Sequence, residues 1–155
     1  MSIKTFFHIG IVVADLDAAI SYYSKYLGVE FTRPSNMKAY IEGPNNSSYQ
    51  QHVVACYSRS EEPYYELIQA GGDGIFSAKN INQIFYFGMW ESDMNQRLIS
   101  LREQGVGVAA IMREAENGPI IAIITEPDAI GGRIEYVSEA LRLPIAAWVL
   151  TGFPI

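Results

Sequence analysis

At 155 residues, 49% hydrophobic and 18% charged, the chain can build one substantial core, or two small half-domains sharing one, and is not disordered. A net charge of −6 with eleven scattered Lys and Arg residues excludes the clustered cationic footprint of a nucleic-acid binder. A single cysteine, Cys56, excludes an intramolecular disulfide and a Cys-rich zinc site, and no apolar run approaches the roughly 18–20 residues of a membrane span, so a soluble, cytoplasmic protein is expected.

The stretch Phe6–Phe31, FFHIGIVVADLDAAISYYSKYLGVEF, opens as a strand rich in β-branched and aromatic residues. Asp15 then offers a side chain that can cap a helix. From Leu16 the apolar residues follow a helical stripe, Leu16, Ala19, Ile20, Tyr23 and Leu27, and Gly28 stands where a left-handed terminator is wanted. Val29–Thr32 reads as a new strand, followed by a turn and a short strand over Met37–Glu42. After the turn-forming cluster Gly43–Ser48 come a strand, Tyr49–Tyr57, a polar turn and its hairpin partner Tyr64–Ala70.

Past a linker reaching to about Asn82, the opening pattern returns. Ile84-Phe85-Tyr86-Phe87-Gly88 reads like Phe6-Phe7-His8-Ile9-Gly10, an offset of 78 (86 − 8). Asp93 stands where Asp15 stood; Met94, Leu98 and Leu101 form a stripe, and Gly105 ends it at an offset of 77 (105 − 28), which predicts a slightly shorter second helix. Strands follow over Val106–Met112, Pro119–Thr125 and Arg133–Ser138, with Glu135 answering Glu66 at an offset of 69 (135 − 66). Each half is β-α-β-β-β, the first over about 4–70 and the second over about 82–138, within one domain spanning 1–155. The apolar tail 139–155, with Trp148, Leu150 and Phe153, is expected to cover a sheet edge or a subunit contact.

Period-2 geometry places Phe6, His8, Gly10 and Val12 on one strand face and Ile84, Tyr86, Gly88 and Trp90 on the equivalent one. Tyr64 and Glu66 share a face, as do Arg133 and Glu135. A carboxylate in an apolar strand is unfavourable by several kcal/mol if buried alone, so two of them at equivalent places point to a shared cation or a polar cup. The alternatives are solvated glutamates on an outer face, a hydrogen-bonded core histidine and a core tyrosine. His52 is the only other histidine, and hairpin geometry leaves its direction open, because a slip of one residue reverses it.

The HIGIVVADLDAAISYY opening, the duplicated unit and the glutamate near the end of each copy resemble the vicinal oxygen chelate superfamily, over roughly residues 4–138. That superfamily includes glyoxalases, bleomycin-resistance proteins, ring-cleaving dioxygenases and methylmalonyl-CoA epimerases, and the epimerase-like branch looks closest. The resemblance implies an α+β fold in which two tandem modules form a curved mixed sheet cup with helices outside. It implies a divalent metal (Mn, Mg, Fe, Co, Ni or Zn) held by His8, Glu66 and Glu135, with Tyr86 where the metal enzymes usually carry a second histidine. Tyrosine is a poor ligand for such ions unless ionised, so three residues plus water, or no metal, are the remaining arrangements. The expected activity is that of an isomerase, epimerase or lyase acting next to a carbonyl through an enolate-type intermediate. Glu66, Glu135 and Tyr86 are its candidate catalytic groups, and His52, Trp90 and Tyr64 its candidate substrate contacts, on a small apolar or aromatic substrate. A non-catalytic binding or resistance protein, or a metal-free acid–base catalyst of the same fold, are the other readings. A homodimer is expected from the family and the apolar tail.

Overall fold

The computed structural model describes residues 5–81 and 83–154, so the expected module boundaries at residues 4 and 82, and the last residue of the tail, lie outside the described residues. The first unit consists of β1 (His8–Val13), α1 (Leu16–Leu27), β2 (Ser35–Glu42), β3 (Ser48–Tyr57) and β4 (Tyr64–Gln69). The second consists of β5 (Ile84–Glu91), α2 (Met94–Glu103), β6 (Val108–Arg113), β7 (Ala122–Thr125) and β8 (Ile134–Ser138), and α3 (Arg142–Thr151) follows. The duplication extends to the helix ends. Asp15 and Asp93 each accept from the third residue of their helix at 3.0 Å, satisfying an otherwise orphaned N–H. Gly28 and Gly105 both take positive φ just past the helix, and α2 is shorter than α1, 10 residues against 12.

The strands close into a barrel in the order β1-β4-β3-β2-β6-β7-β8-β5. Each unit supplies four neighbouring strands. The units meet where β1 runs antiparallel to β5 and where β2 runs antiparallel to β6. Within the units β1 is parallel to β4, and β5 to β8. The helices lie outside: Leu16 of α1 packs with Ile11, Cys56 and Leu67, and Met94, Leu98 and Leu101 of α2 with Ile111, Ile120 and Ile123. Inward positions carry Val12, Ile41, Val53, Ile68 and Ile124, but also Ala39, Ala55, Ala110 and Ala122, whose small side chains leave part of the lumen unfilled.

Two expectations are corrected. Val29–Thr32 is not a ladder strand; Phe31 makes only an isolated bridge to Ser58, because β2 itself takes the place beside β3. The tail covers no sheet edge, since closure through β2 and β6 leaves none between the units. Instead α3 lies across one mouth of the barrel, burying Ile145, Trp148 and Val149 against Phe7, Tyr57, Tyr64 and Val137. Hydrogen bonds from the Trp148 indole to the Arg33 carbonyl (3.0 Å) and from Arg59 to the carbonyls of Val149 and Leu150 (3.1 and 2.8 Å) tie it down.

Candidate functional site

Strand register brings the polar residues together. In β1 and β5 the antiparallel pairing sets His8 opposite Gly88 and Gly10 opposite Tyr86. In the parallel pairs Gly10 lies beside Glu66 and Gly88 beside Glu135. Each glycine therefore separates an aromatic ring on one side from a carboxylate on the other. His8 leans over Gly88 and reaches Glu135, Nε2 to Oε2 at 2.8 Å. Tyr86 leans over Gly10, and its hydroxyl donates to Oε1 of Glu66. Both pairs cross from one unit to the other, related by the internal duplication. The glycines are sterically required: a Cβ on Gly10 would stand 2.0 Å from the Tyr86 ring, and one on Gly88 2.1 Å from Nε2 of His8.

All four residues are buried, Glu66 and Glu135 being only 7% and 6% exposed, so the solvated outer face weighed for the glutamates does not apply. Burial shapes their proton affinities. Desolvation alone pulls the His8 imidazole down, but the charge of Glu66 and the hydrogen bond and charge of Glu135 outweigh it, and the net shift is upward. Burial pushes the Glu135 carboxyl up, with His8 opposing. Burial, then the charges of Glu135 and Glu66, hold the Tyr86 phenol well above its usual range, so it stays a donor. Cys56 is pushed up to about 12 by burial and then by Glu66, which keeps it a thiol.

His8, Glu66, Tyr86 and Glu135 line a cavity of about 380 Å³ under α3, whose walls also include Met37, Val53, Phe76, Met112, Ile145 and Trp148. The observed hairpin register pairs Tyr57 with Glu66, which brings the Tyr57 ring into the same cavity. Burial, then the charge and a hydrogen bond of Glu66, keep the Tyr57 phenol protonated as well. Tyr57 is absent from the sequence-derived candidates, although its alternation with Ala55 and Val53 on one strand marks it as inward-facing. Gly10 and Gly88 stand on the expected faces, where the sequence assigns them no role; an aromatic residue two before a glycine, in both copies, is the signal.

Of the expected substrate contacts, the structure brings none into this cavity. His52 shares a face with Val54 rather than Val53, is exposed, and pairs Nδ1 with Oδ1 of Asn36 at 2.8 Å on the outer surface. Trp90 stacks on Phe7 with ring centroids 3.7 Å apart. Tyr64 packs edge-on against Tyr57 beside α3.

The ligating atoms of His8, Glu66 and Glu135 lie within 4.8 Å of one another. Donors about 2.0–2.2 Å from one ion would be separated by up to roughly 4.4 Å, so a small adjustment lets the trio hold a divalent ion. The donor set, one imidazole and two carboxylates, suits a hard or borderline ion, and two buried carboxylates against one imidazole call for a compensating proton or cation. Nδ1 of His8 is buried with no hydrogen-bond partner, so the outer acceptor that usually orients a ligating histidine is missing among the described residues.

Comparisons with known proteins agree with this fold. The chain resembles a methylmalonyl-CoA epimerase from Mycobacterium tuberculosis at 25% identity, with a TM-score of 0.58 over 92% of this chain and 91% of that one. It also resembles a variant Streptomyces coelicolor methylmalonyl-CoA epimerase in complex with 2-nitronate-propionyl-CoA (21% identity, TM-score 0.60, covering 90% and 96%). A hypothetical protein from Bacillus halodurans shares the fold at 17% identity (TM-score 0.62, covering 89% and 96%). No curated protein sequence matches the chain. The model of the Glyoxalase/Bleomycin resistance protein/Dioxygenase superfamily matches residues 7–122, well over half of the sequence, and the chain belongs to that superfamily.

Proposed function

We propose that the chain is an isomerase of the epimerase type, which moves a proton on the carbon next to a carbonyl of a small, largely apolar substrate. The observation that carries this reading is the pair of cross-unit contacts, His8 with Glu135 and Tyr86 with Glu66, set side by side in a buried apolar cavity. Glu66 on β4 and Glu135 on β8 flank the β1–β5 pair from opposite sides. That arrangement lets one carboxyl group take a proton and the other return it. Glu135 is the stronger candidate for base, because a carboxyl raised by burial lies closer to neutral pH, where proton transfer is efficient. Tyr86, kept protonated, is the candidate donor to an enolate oxygen. A divalent metal held by His8, Glu66 and Glu135 would supply Lewis-acid polarisation of the carbonyl when bound. The similarity to methylmalonyl-CoA epimerases supports this reaction class, with an acyl thioester as the first substrate class to test. The exposed Leu143, Leu150 and Phe153 support a homodimer.

A non-catalytic binding protein is the second reading, because His8 and Tyr86 already spend their hydrogen bonds on Glu135 and Glu66 and the remaining walls are mostly apolar. Proton NMR in D₂O separates the two. Loss of the α-proton signal of methylmalonyl-CoA, or of a smaller 2-methyl acyl thioester, in wild type but not in Glu135→Gln supports the isomerase. Tight retention of an apolar molecule with no exchange on any thioester rejects it. Metal content of protein purified without a histidine tag, before and after chelation, tests the ion. Near-stoichiometric metal that is lost in both Glu66→Gln and Glu135→Gln is expected.

A further inference from the structure

Alternation along the strands places a second set of polar side chains inside the barrel at its other end. Gln51 shares the inward face of β3 with Val53, Ala55 and Tyr57, and Arg133, just before β8, shares that of Glu135. They line a cavity of about 740 Å³ together with Tyr49, Lys79, Asn80 and Glu126. None of the described residues lines both cavities, and the apolar core around Val12, Ile41, Phe85 and Ile124 stands between them.

Two atoms at this end are buried with no hydrogen-bond partner among the described residues, Nε of Arg133 and Oε1 of Gln51. Neither can change its role. Nε–H of a guanidinium only donates. The Gln51 amide is oriented by its Nε2, which donates to the Gly71 carbonyl at 2.7 Å; a carbonyl only accepts, so Oε1 must be the acceptor left over. The Arg133 guanidinium is held over the Phe85 ring, 4.4 Å from its centroid, and makes no ion pair among the described residues. Unpaired buried polar atoms are rare enough that each needs an explanation.

We propose that this end of the barrel is a second binding site, for a small molecule carrying one carboxylate and one hydrogen-bond donor, seated between Arg133 and Gln51. A planar carboxylate matches the guanidinium fork, and the donor satisfies Oε1 of Gln51 after a small rotation of these two long side chains. Tyr49 accepts from the Ile75 N–H at 3.0 Å, which leaves its own hydroxyl proton for the ligand. Glu126 and Asp73 share the cavity with Arg133 and Lys79, a balance of charges that favours a singly charged or zwitterionic ligand over a polyanion such as a phosphate ester. This site is independent of the proposed isomerase.

The test is a titration of the full-length, isotope-labelled protein with lactate and L-glutamine, each holding a carboxylate and a donor, and with glycerol, which lacks the carboxylate. Either carboxylate is expected to shift the Arg133 Nε–H and Gln51 amide resonances at millimolar concentration, and glycerol to leave them in place. Arg133→Met, which keeps the stem over Phe85, is expected to weaken binding at least about tenfold without lowering the melting temperature, and Arg133→Lys to weaken it less. Glu135→Gln, at the opposite end, is expected to leave binding unchanged. No shift with either carboxylate, shifts centred on His8 and Glu66, or binding indifferent to Arg133→Met would each overturn the proposal.

Discussion

Gly88→Ala tests the register on which the site is built. The added Cβ would stand 2.1 Å from Nε2 and 2.2 Å from Cδ2 of His8, while ordinary contact begins at 3.4 Å. The imidazole must therefore retreat by about 1.3 Å (3.4 − 2.1). With Nε2 now 2.8 Å from Glu135, that retreat takes the pair out of hydrogen-bond range. Overpacking contributes about 1–3 kcal/mol and breaking a buried charged pair about 3–5, so a loss of at least about 4 kcal/mol is expected, a large share of a typical domain's stability. In a chain of this size that corresponds to a fall in melting temperature of about 8–16 °C. Urea unfolding of wild type, Gly88→Ala, His8→Ala and the double variant closes a thermodynamic cycle. If the clash is with the imidazole, the alanine at position 88 is tolerated once His8 is removed, and the coupling is about 2 kcal/mol or more. A Gly88→Ala effect of the same size in both backgrounds would refute the reasoning, since the glycine would then be required for something other than the ring it faces.

Other perturbations read separate parts of the structure. In chelator-treated protein, His8 and Glu135 both hold folded-state values above their ordinary 6.5 and 4.5, so the stability each supplies is complete at low pH and is lost as pH rises through the raised value. The melting temperature should fall from about pH 6 to pH 9, and His8→Gln should flatten that slope; a melting temperature rising over this range contradicts the shifts. Trp148→Ala removes an indole that packs edge-on against Tyr57 and bonds to the Arg33 carbonyl, and should lower stability by about 3–5 kcal/mol in urea unfolding while increasing dye binding at the opened mouth. An unchanged urea midpoint would mean that α3 does not seal the cavity. Cys56, buried and held as a thiol up to about 12, should resist a thiol reagent at pH 8 in native protein and react at once in denaturant. Rapid native labelling would place it outside the core.

The duplicated pattern was legible because two local signals agreed in both halves: strand composition before an aspartate cap, and a helical stripe closed by glycine. The inward direction of Glu66 and Glu135 was legible from period-2 geometry once they were recognised as equivalent positions. What the sequence did not show depends on register between strands. Which residue of β3 stands beside Glu66 turns on the length of the 58–63 turn, and the observed pairing puts Tyr57 there. His52 followed from the same parity: its neighbours Val53 and Gln51 point inward, so it points out. Barrel closure through β2 and β6 joins strands of different units, which no local pattern encodes, and it redirects α3 from a sheet edge to the mouth.

The duplication also explains why the departure at Tyr86 matters. If both units carried histidine at this place, the two cross-unit pairs would be chemically alike, each an imidazole against a carboxylate. Here one pair is imidazole with carboxylate and the other is phenol with carboxylate. The first can share a proton between its members, since His8 and Glu135 are both shifted upward from their ordinary values and hydrogen-bonded to each other. The second cannot, because burial and two carboxylates hold the phenol protonated. On the proposed reading the duplicated scaffold thus carries two unlike halves: Glu135 beside His8 takes the α-proton, while Tyr86 is held as the donor to the enolate oxygen and Glu66 returns the proton. Tyr86→His makes the set symmetric: it should tighten metal binding, so that removing the ion takes more chelator than in wild type, and it should lower any α-proton exchange measured in the chelator-treated protein. Exchange that instead increases in that variant, with metal absent, would show that Tyr86 does not act as the donor.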